Sequence, residues 1–470
     1  MIREGRMALQ FAKPNAGVQK SGVLTHELDV PALPWGARGG DILAPAFGMT
    51  VGAWIVAYVS LMPIFPSHLP GQVTVSLMLG VVFFGGFLTA RYSRRGVVAA
   101  LLAGLVSGAL DILIVGSVLY DVAGTESLGP TVGLWMGGSI LLNGVTAGLG
   151  GLFGMMRPSP RRGEIRWASV FALVLAAATL PLITAGGLVT AYGAGMSVPD
   201  WPLSYGNDMF LYRLSSMEAM PGSFYEHTHR LMGTLVGLTS LTVAIYITIA
   251  QRGVRLKVAA WCIFAAVCVQ GLLGGLRVTE NSIPLATIHG IFAQIVLAAM
   301  ACLAVAGSGS FERCPRVAGA RDRVFPGVLV VALVVQLALG ALVRQRVDSL
   351  VLMHITLAAG VGLLALACGF RAMLLHGAEV GLRPLKRTGA AVIAAGGVQL
   401  LLGIIALVLR PSSPASPKTT HSALWTTAHQ ANGALLLALC AVLWLWNWRL
   451  IPAEDSQRGA DSGEATQPAV

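Results

Sequence analysis

Of 470 residues, 55% are hydrophobic and 11% charged, far fewer charges than the roughly 25% usual for a soluble domain. The net charge of +11 would suit a nucleic-acid partner, but the basic residues sit in alternate short loops between apolar runs, which excludes that reading and points to a lipid bilayer. Six cysteines are present without a CxxCH motif, so any haem is noncovalent, and none lies in an outward loop, so no structural disulfide is expected.

Residues 1–42 form a polar N-terminus with no apolar core, so no cleavable signal peptide is expected. Apolar runs at roughly 43–63, 72–91, 97–120 and 131–155 are each long enough to cross a bilayer as helices. They define a four-helix membrane domain over 43–156. No histidine lies inside these spans, and His68 falls in an outer loop beside prolines. Asp111 and Asn143 sit mid-span and are expected to pair, or Asp111 to bind a partner protein. Gly104-xxx-Gly108 and Gly144-xxx-Gly148 suit close helix packing. The domain reads as a structural or docking unit, such as a fused assembly or electron-transfer partner, since no residue in it carries redox chemistry.

A basic linker, 157–166, leads into eight further spans: 167–190, 228–250, 257–277, 285–307, 325–343, 351–373, 386–409 and 423–449. They divide into bundles at 167–310 and 325–450, joined by a cytoplasmic linker at 311–324. A polar tail, 451–470, is expected to be disordered. The bundles read as two copies of one unit. Gln270-Gly271-Leu272-Leu273-Gly274 matches Gln399-Leu400-Leu401-Leu402-Gly403, and Gln336-Leu337-Ala338-Leu339-Gly340 is related. The fold class is therefore an all-α polytopic membrane protein of about 12 transmembrane helices, two pseudo-symmetric four-helix bundles preceded by an extra four-helix domain. Basic loops at 91–95, 157–166, 251–257, 313–323 and 371–387 place both termini in the cytoplasm of a plasma-membrane protein.

Chemistry-bearing residues concentrate in the repeat. His229, His289, His354 and His429 each lie a few residues into a span after an outer polar loop, on the second and fourth helix of each copy. Ionisable groups in a bilayer are costly and usually functional. Facing side chains in a bundle core commonly build a cofactor site, and imidazole suits haem iron. The pairing is His229 with His289 and His354 with His429, two haem irons toward the outer side. Glu226 lies three residues before His229, one turn away on the same face, whereas Val351 stands at the matching position before His354. One pair thus has an acid to move protons or stabilise developing charge, and the other does not. Arg230, Arg277 and Arg344 are candidate haem-propionate partners, with snorkelling to the interface as the alternative. His227 and His421 read as bystanders near outer loops, and His376 as a solvated cytoplasmic residue.

These segments resemble the haem A synthases, the cytochrome oxidase assembly proteins that convert haem O to haem A. The similar residues are Gly186 to Gly195, Pro199-Asp200-Trp201-Pro202-Leu203, Glu226-xx-His229-Arg230, Gln270 to Gly275, His289-Gly290, His354 and His429-Gln430-xx-Gly433, over about 167–450. The resemblance implies haem b between His354 and His429, and substrate haem O near His229 and His289. Glu226 matches the family's functionally important acid in oxidation of the haem C8 methyl to a formyl group. It also implies an electron donor that the sequence does not name, contacts with haem O synthase or oxidase assembly proteins, and homo-oligomerisation as an open question. Two other functions fit the histidines: a dihaem cytochrome b serving quinol, and a non-catalytic haem-binding assembly factor. Many bacterial members carry a cysteine pair flanking Pro-Asp-Trp-Pro; here Val198 and Ser204 stand there, and the long loop from Ser204 to Tyr225 is a candidate lid.

Overall fold

In the computed structural model, the described residues are 39–450 apart from 64–68, 124–129, 161, 214–215, 218–219, 252, 314–322, 346, 375–381 and 411–418. The polar N-terminus up to residue 38, the tail after 450, His68, Cys314 and His376 lie outside them. Long apolar runs without a charge in the middle have one stable form in lipid, because a helix satisfies its own backbone groups. Twelve long helices result: α1 (Gly40–Ser60), α2 (Gly71–Tyr92), α3 (Val97–Ala123), α4 (Pro130–Met156), α5 (Trp167–Ala191), α6 (Pro221–Ala250), α7 (Val254–Thr279), α8 (Ile283–Ala306), α9 (Val324–Arg344), α10 (Val351–Leu374), α11 (Arg383–Val408) and α12 (Thr420–Leu450). Among the described residues, 11 are long and apolar enough to cross a membrane, and α3 adds the shorter apolar stretch Val97–Leu113. Large apolar side chains such as Leu134, Leu363, Leu401 and Ile404 point outward, as they do where lipid is the solvent. The chain is a multi-pass, all-α membrane protein.

Local sequence sets the helix starts. Proline occupies the first turn of α6, α8 and α11, where no intrahelical N–H bond is lost. Ser282 caps α8 by accepting the Leu285 N–H at 3.3 Å.

α1–α4 pack as one group. α3 and α4 approach so closely that a Cβ on Gly104 would stand 2.5 Å from the Asn143 carbonyl oxygen, and one on Gly108 would stand 2.8 Å from Ile140 Cα. The expected Asp111–Asn143 pair does not form. Asn143 Nδ2 donates instead to the Ser139 carbonyl one turn back, at 3.0 Å, which satisfies the amide within its own helix. Asp111 turns toward α1 and lies beside Trp54. The group joins the rest through α1, which runs along α5; Phe47 meets Phe171 with ring centres 5.2 Å apart.

The remaining eight helices form two rings of four. In the first, neighbours around the ring are α5, α6, α7 and α8; in the second, α9, α10, α11 and α12. Helices α6 and α8 are therefore diagonal to each other, as are α10 and α12. The rings meet where α12 packs on α5 and α8, and α9 on α8. Arg344 spans this seam from the end of α9, donating to Gln430 Oε1 on α12 and to the Gly187 carbonyl on α5.

Candidate haem centres

Diagonal placement brings each predicted histidine pair together across a ring. The rings of His229 and His289 have centres 6.5 Å apart at an interplanar angle of 83°. Those of His354 and His429 are 6.4 Å apart, also at 83°. Two imidazoles bound to one metal from opposite sides have centres roughly 6–7 Å apart, given a metal–nitrogen bond of about 2 Å. Both pairs meet that separation.

The same device seats all four rings. Each histidine lays Cε1 against a glycine on the helix preceding its own. A Cβ added to Gly186, Gly274, Gly340 or Gly403 would stand 2.8, 3.2, 3.0 or 3.0 Å from Cε1 of His229, His289, His354 or His429. Methyl groups there would push the rings out of place. Gly186→Ala is expected to lower haem retention in the first ring while leaving the second ring's haem spectrum unchanged, read by the haem-to-protein ratio of purified protein.

The two pairs differ in what holds them. Three of the four seats carry a glutamine one turn before the glycine: Gln270, Gln336 and Gln399. Gln336 Nε2 donates to the His354 carbonyl at 3.0 Å and lies 3.1 Å from its Nδ1. Gln399 Nε2 lies 3.2 Å from His429 Nδ1, and its Oε1 accepts from Asn432 at 2.8 Å. In the first ring, Gln270 reaches only the His289 carbonyl, at 3.0 Å, and the fourth seat has Leu182 in place of glutamine. Nδ1 of both His229 and His289 is buried without a partner. Such outer contacts orient a metal-bound imidazole, and the second ring's histidines carry them on both sides. The first ring's pair has the same spacing with freer rings. Both donor sets, neutral imidazole facing imidazole in an apolar bundle, fit haem iron.

Above the first ring, Glu226 is buried, at 2% exposure. Oε1 pairs with Arg230 at 2.7 Å, and Oε2 accepts the Val198 N–H at 3.0 Å. Arg230 does not present an open cation to a propionate. Its terminal nitrogens donate to the carbonyls of Asp200 (2.7 Å), Leu203 (3.0 Å) and Val198 (2.8 Å) as well as to Glu226. Arg277 donates to the Gly195 carbonyl at 2.8 Å. The two arginines thus grip one loop, 192–213, by its backbone. That loop lays the Trp201 indole on Gly275, where a Cβ would stand 2.6 Å from the ring, one residue from the seat of His289.

His227 is the residue that sequence reasoning missed. Far from a bystander, it is completely buried, with Nδ1 3.1 Å from Ser204 Oγ and its ring 5.3 Å from that of Tyr212. Val198 and Ser204, which flank Pro199 to Leu203, are thereby tied to successive residues of α6, Glu226 and His227. The signal was present: Ser223, Glu226, His227 and Arg230 are spaced i, i+3, i+4, i+7, a polar stripe along one helix face. The lid was expected after Ser204, but its gripped part begins earlier, at Gly195.

Asp200 shapes the loop tip by accepting the Tyr205 and Gly206 N–H groups at 2.8 and 2.7 Å. Burial pushes its carboxyl up, but those two donors and the nearby Arg230 outweigh it and hold it below the usual carboxylate range. A lowered folded value means that the stabilisation is complete above the ordinary carboxylate range and is lost only as pH falls through the lowered one. Proteolytic cleavage within 192–213 should therefore stay slow at mildly acidic pH in the native chain. Asp200→Ala should speed it at neutral pH.

The family model of the cytochrome oxidase assembly protein (COX15-CtaA) matches residues 169–360. The matched segment runs from α5 into α10 and carries Glu226, His229, His289 and His354. His429 lies beyond it, so its place rests on the repeat and on its position opposite His354. Comparison with curated proteins gives no match. Over residues 169–360, the chain is similar to the cytochrome oxidase assembly protein family.

Proposed function

We propose that this chain is a haem A synthase-like membrane oxidoreductase that oxidises the C8 methyl of haem O to a formyl group, supplying haem A for cytochrome oxidase. The observation that carries the reading is an asymmetry between two matched clamps. Both have facing histidines on glycine seats, but only the His229/His289 clamp has a buried acid and a gripped loop above it.

His354 and His429 hold a resident haem b, their rings oriented by Gln336 and Gln399. A bis-histidine haem supplies one-electron transfer when bound. His229 and His289 receive haem O. Glu226 is the catalytic acid–base group, moving a proton or stabilising positive charge through a carboxylate fixed at Oε1 by Arg230 and at Oε2 by Val198. Arg230 sets that carboxylate and the loop together, so it acts as a positioning residue. The loop, with Trp201 on Gly275, excludes water from the reacting edge. An external donor supplies electrons, and the protein sits in the plasma membrane with its haem sites toward the outer leaflet.

The test is pigment extraction from a host that makes haem O but lacks its own synthase. Haem A appearing on expression supports the reading. Rapid quinol-dependent reduction of two bound haems with no haem A would replace it with a dihaem cytochrome b.

A further inference from the structure

The added domain meets the first ring through aromatic side chains. Trp54 and Tyr58 stand one turn apart on one face of α1 and are buried, at 3% and 9% exposure. Tyr58 stacks on Phe224 with centres 5.7 Å apart at 12°. Phe224 meets Tyr225 edge-on at 6.0 Å, and Tyr225 stacks on Tyr192 at 4.8 Å and 10°. Tyr225 lies one turn before His229 on α6. Ring contacts therefore link Tyr58 of the added domain through Phe224 to Tyr225, with Trp54 one turn before Tyr58 and His229 one turn after Tyr225.

Their polar atoms are anomalous. Trp54 Nε1, Tyr58 OH, Tyr192 OH and Asp111 Oδ1 are all buried without a hydrogen-bond partner. Asp111 lies beside the Trp54 indole and Tyr58 beside Thr228, yet neither approach closes. Buried polar groups are nearly always paired, and each exception asks for a reason, redox function among them. Packing alone would be served as well by phenylalanine.

We propose that Trp54, Tyr58 and Tyr225 form a one-electron relay through which the first-ring haem site draws electrons from the added domain, ending at Trp54 beside Asp111. The relay rests on the haem reading of the first ring. It protects the site when an oxidant meets haem without a substrate to consume it. With hydrogen peroxide as that oxidant, reduction to two waters takes two electrons and two protons, one of each from the Trp54 indole N–H and one of each from the Tyr58 phenol O–H, which leaves an indolyl and a tyrosyl radical.

The experiment loads the full-length protein with hemin, treats it with hydrogen peroxide and freezes it for electron paramagnetic resonance. The intact chain should give an organic radical with tryptophan character. Trp54→Phe should remove that character, while Tyr58→Phe and Tyr225→Phe should cut the signal several-fold, with the haem absorption spectrum unchanged. Removing an unpartnered buried hydroxyl leaves no orphan behind, so the tyrosine variants should fold. Trp261→Phe, on an outward face of α7, should leave the radical as it is. The same signal in Trp54→Phe and Tyr58→Phe as in the intact chain would overturn the relay while leaving haem binding intact. Failure to take up hemin in the first ring, read from the spectrum of a His354→Ala variant, would remove the haem reading and the relay with it.

Discussion

Glu226→Gln should abolish haem A formation while the haem held by His354 and His429 keeps its spectrum. Glutamine preserves the shape and can still accept the Val198 N–H, but it removes the charge facing Arg230. The variant thus separates the carboxylate's chemistry from its place in the clamp. Glu226→Ala is a harsher change. It leaves Arg230, 9% exposed at the side chain, without its anion, a loss on the order of 3–5 kcal/mol for a buried pair. The loop should then loosen as well. Extracted pigments report the chemistry, and the reduced-minus-oxidised spectrum of purified protein reports the second ring. Haem A persisting at native levels in Glu226→Gln would take the acid out of the mechanism. Loss of the second-ring haem would contradict the division of labour between the rings.

The second large effect is expected at the resident clamp. His354→Ala should strip most of the stably bound haem and eliminate the bis-histidine spectrum, because no neighbouring donor can replace the ring. Gln336, the nearest polar group, is already committed to the His354 carbonyl, and Gly340 offers only backbone. Haem A formation should fall with it. An unchanged low-spin spectrum would show that another pair of residues binds the haem. His429→Ala should behave alike, a useful check because His429 lies beyond the residues matched by the family.

Much of this arrangement was legible in the chain. Four histidines at equivalent positions of a repeat gave the pairs, since a duplicated unit places its second and fourth helices alike and a four-helix ring makes those helices diagonal. Glu226 was visible as the residue without a counterpart, Val351 standing at the matching place. Other parts depended on tertiary contacts that no spacing encodes. Arg230 was read as a candidate propionate partner because arginine pairs well with carboxylates, and the structure brings three loop carbonyls within reach of it. His227 was set aside because it lies near an outer loop, although its stripe with Ser223, Glu226 and Arg230 marked a second buried face. Asp111 and Asn143 were matched by depth alone. Depth says nothing of rotation about the helix axis, and rotation sends Asp111 toward Trp54. The glutamine-to-glycine spacing was noticed as a trace of duplication, and its meaning as a ring seat emerged only once the histidines were placed on it.

The grip on the outer loop has a bearing on which of its residues are free to change. Arg230 and Arg277 hold the carbonyl oxygens of Gly195, Val198, Asp200 and Leu203, atoms that every residue type supplies. Substitution along the loop therefore leaves these backbone anchors in place, beside the side-chain contacts that Asp200, Trp201 and Ser204 add. Residues whose side chains make no contact can change there without shifting the backbone that holds Glu226 and Arg230 in place.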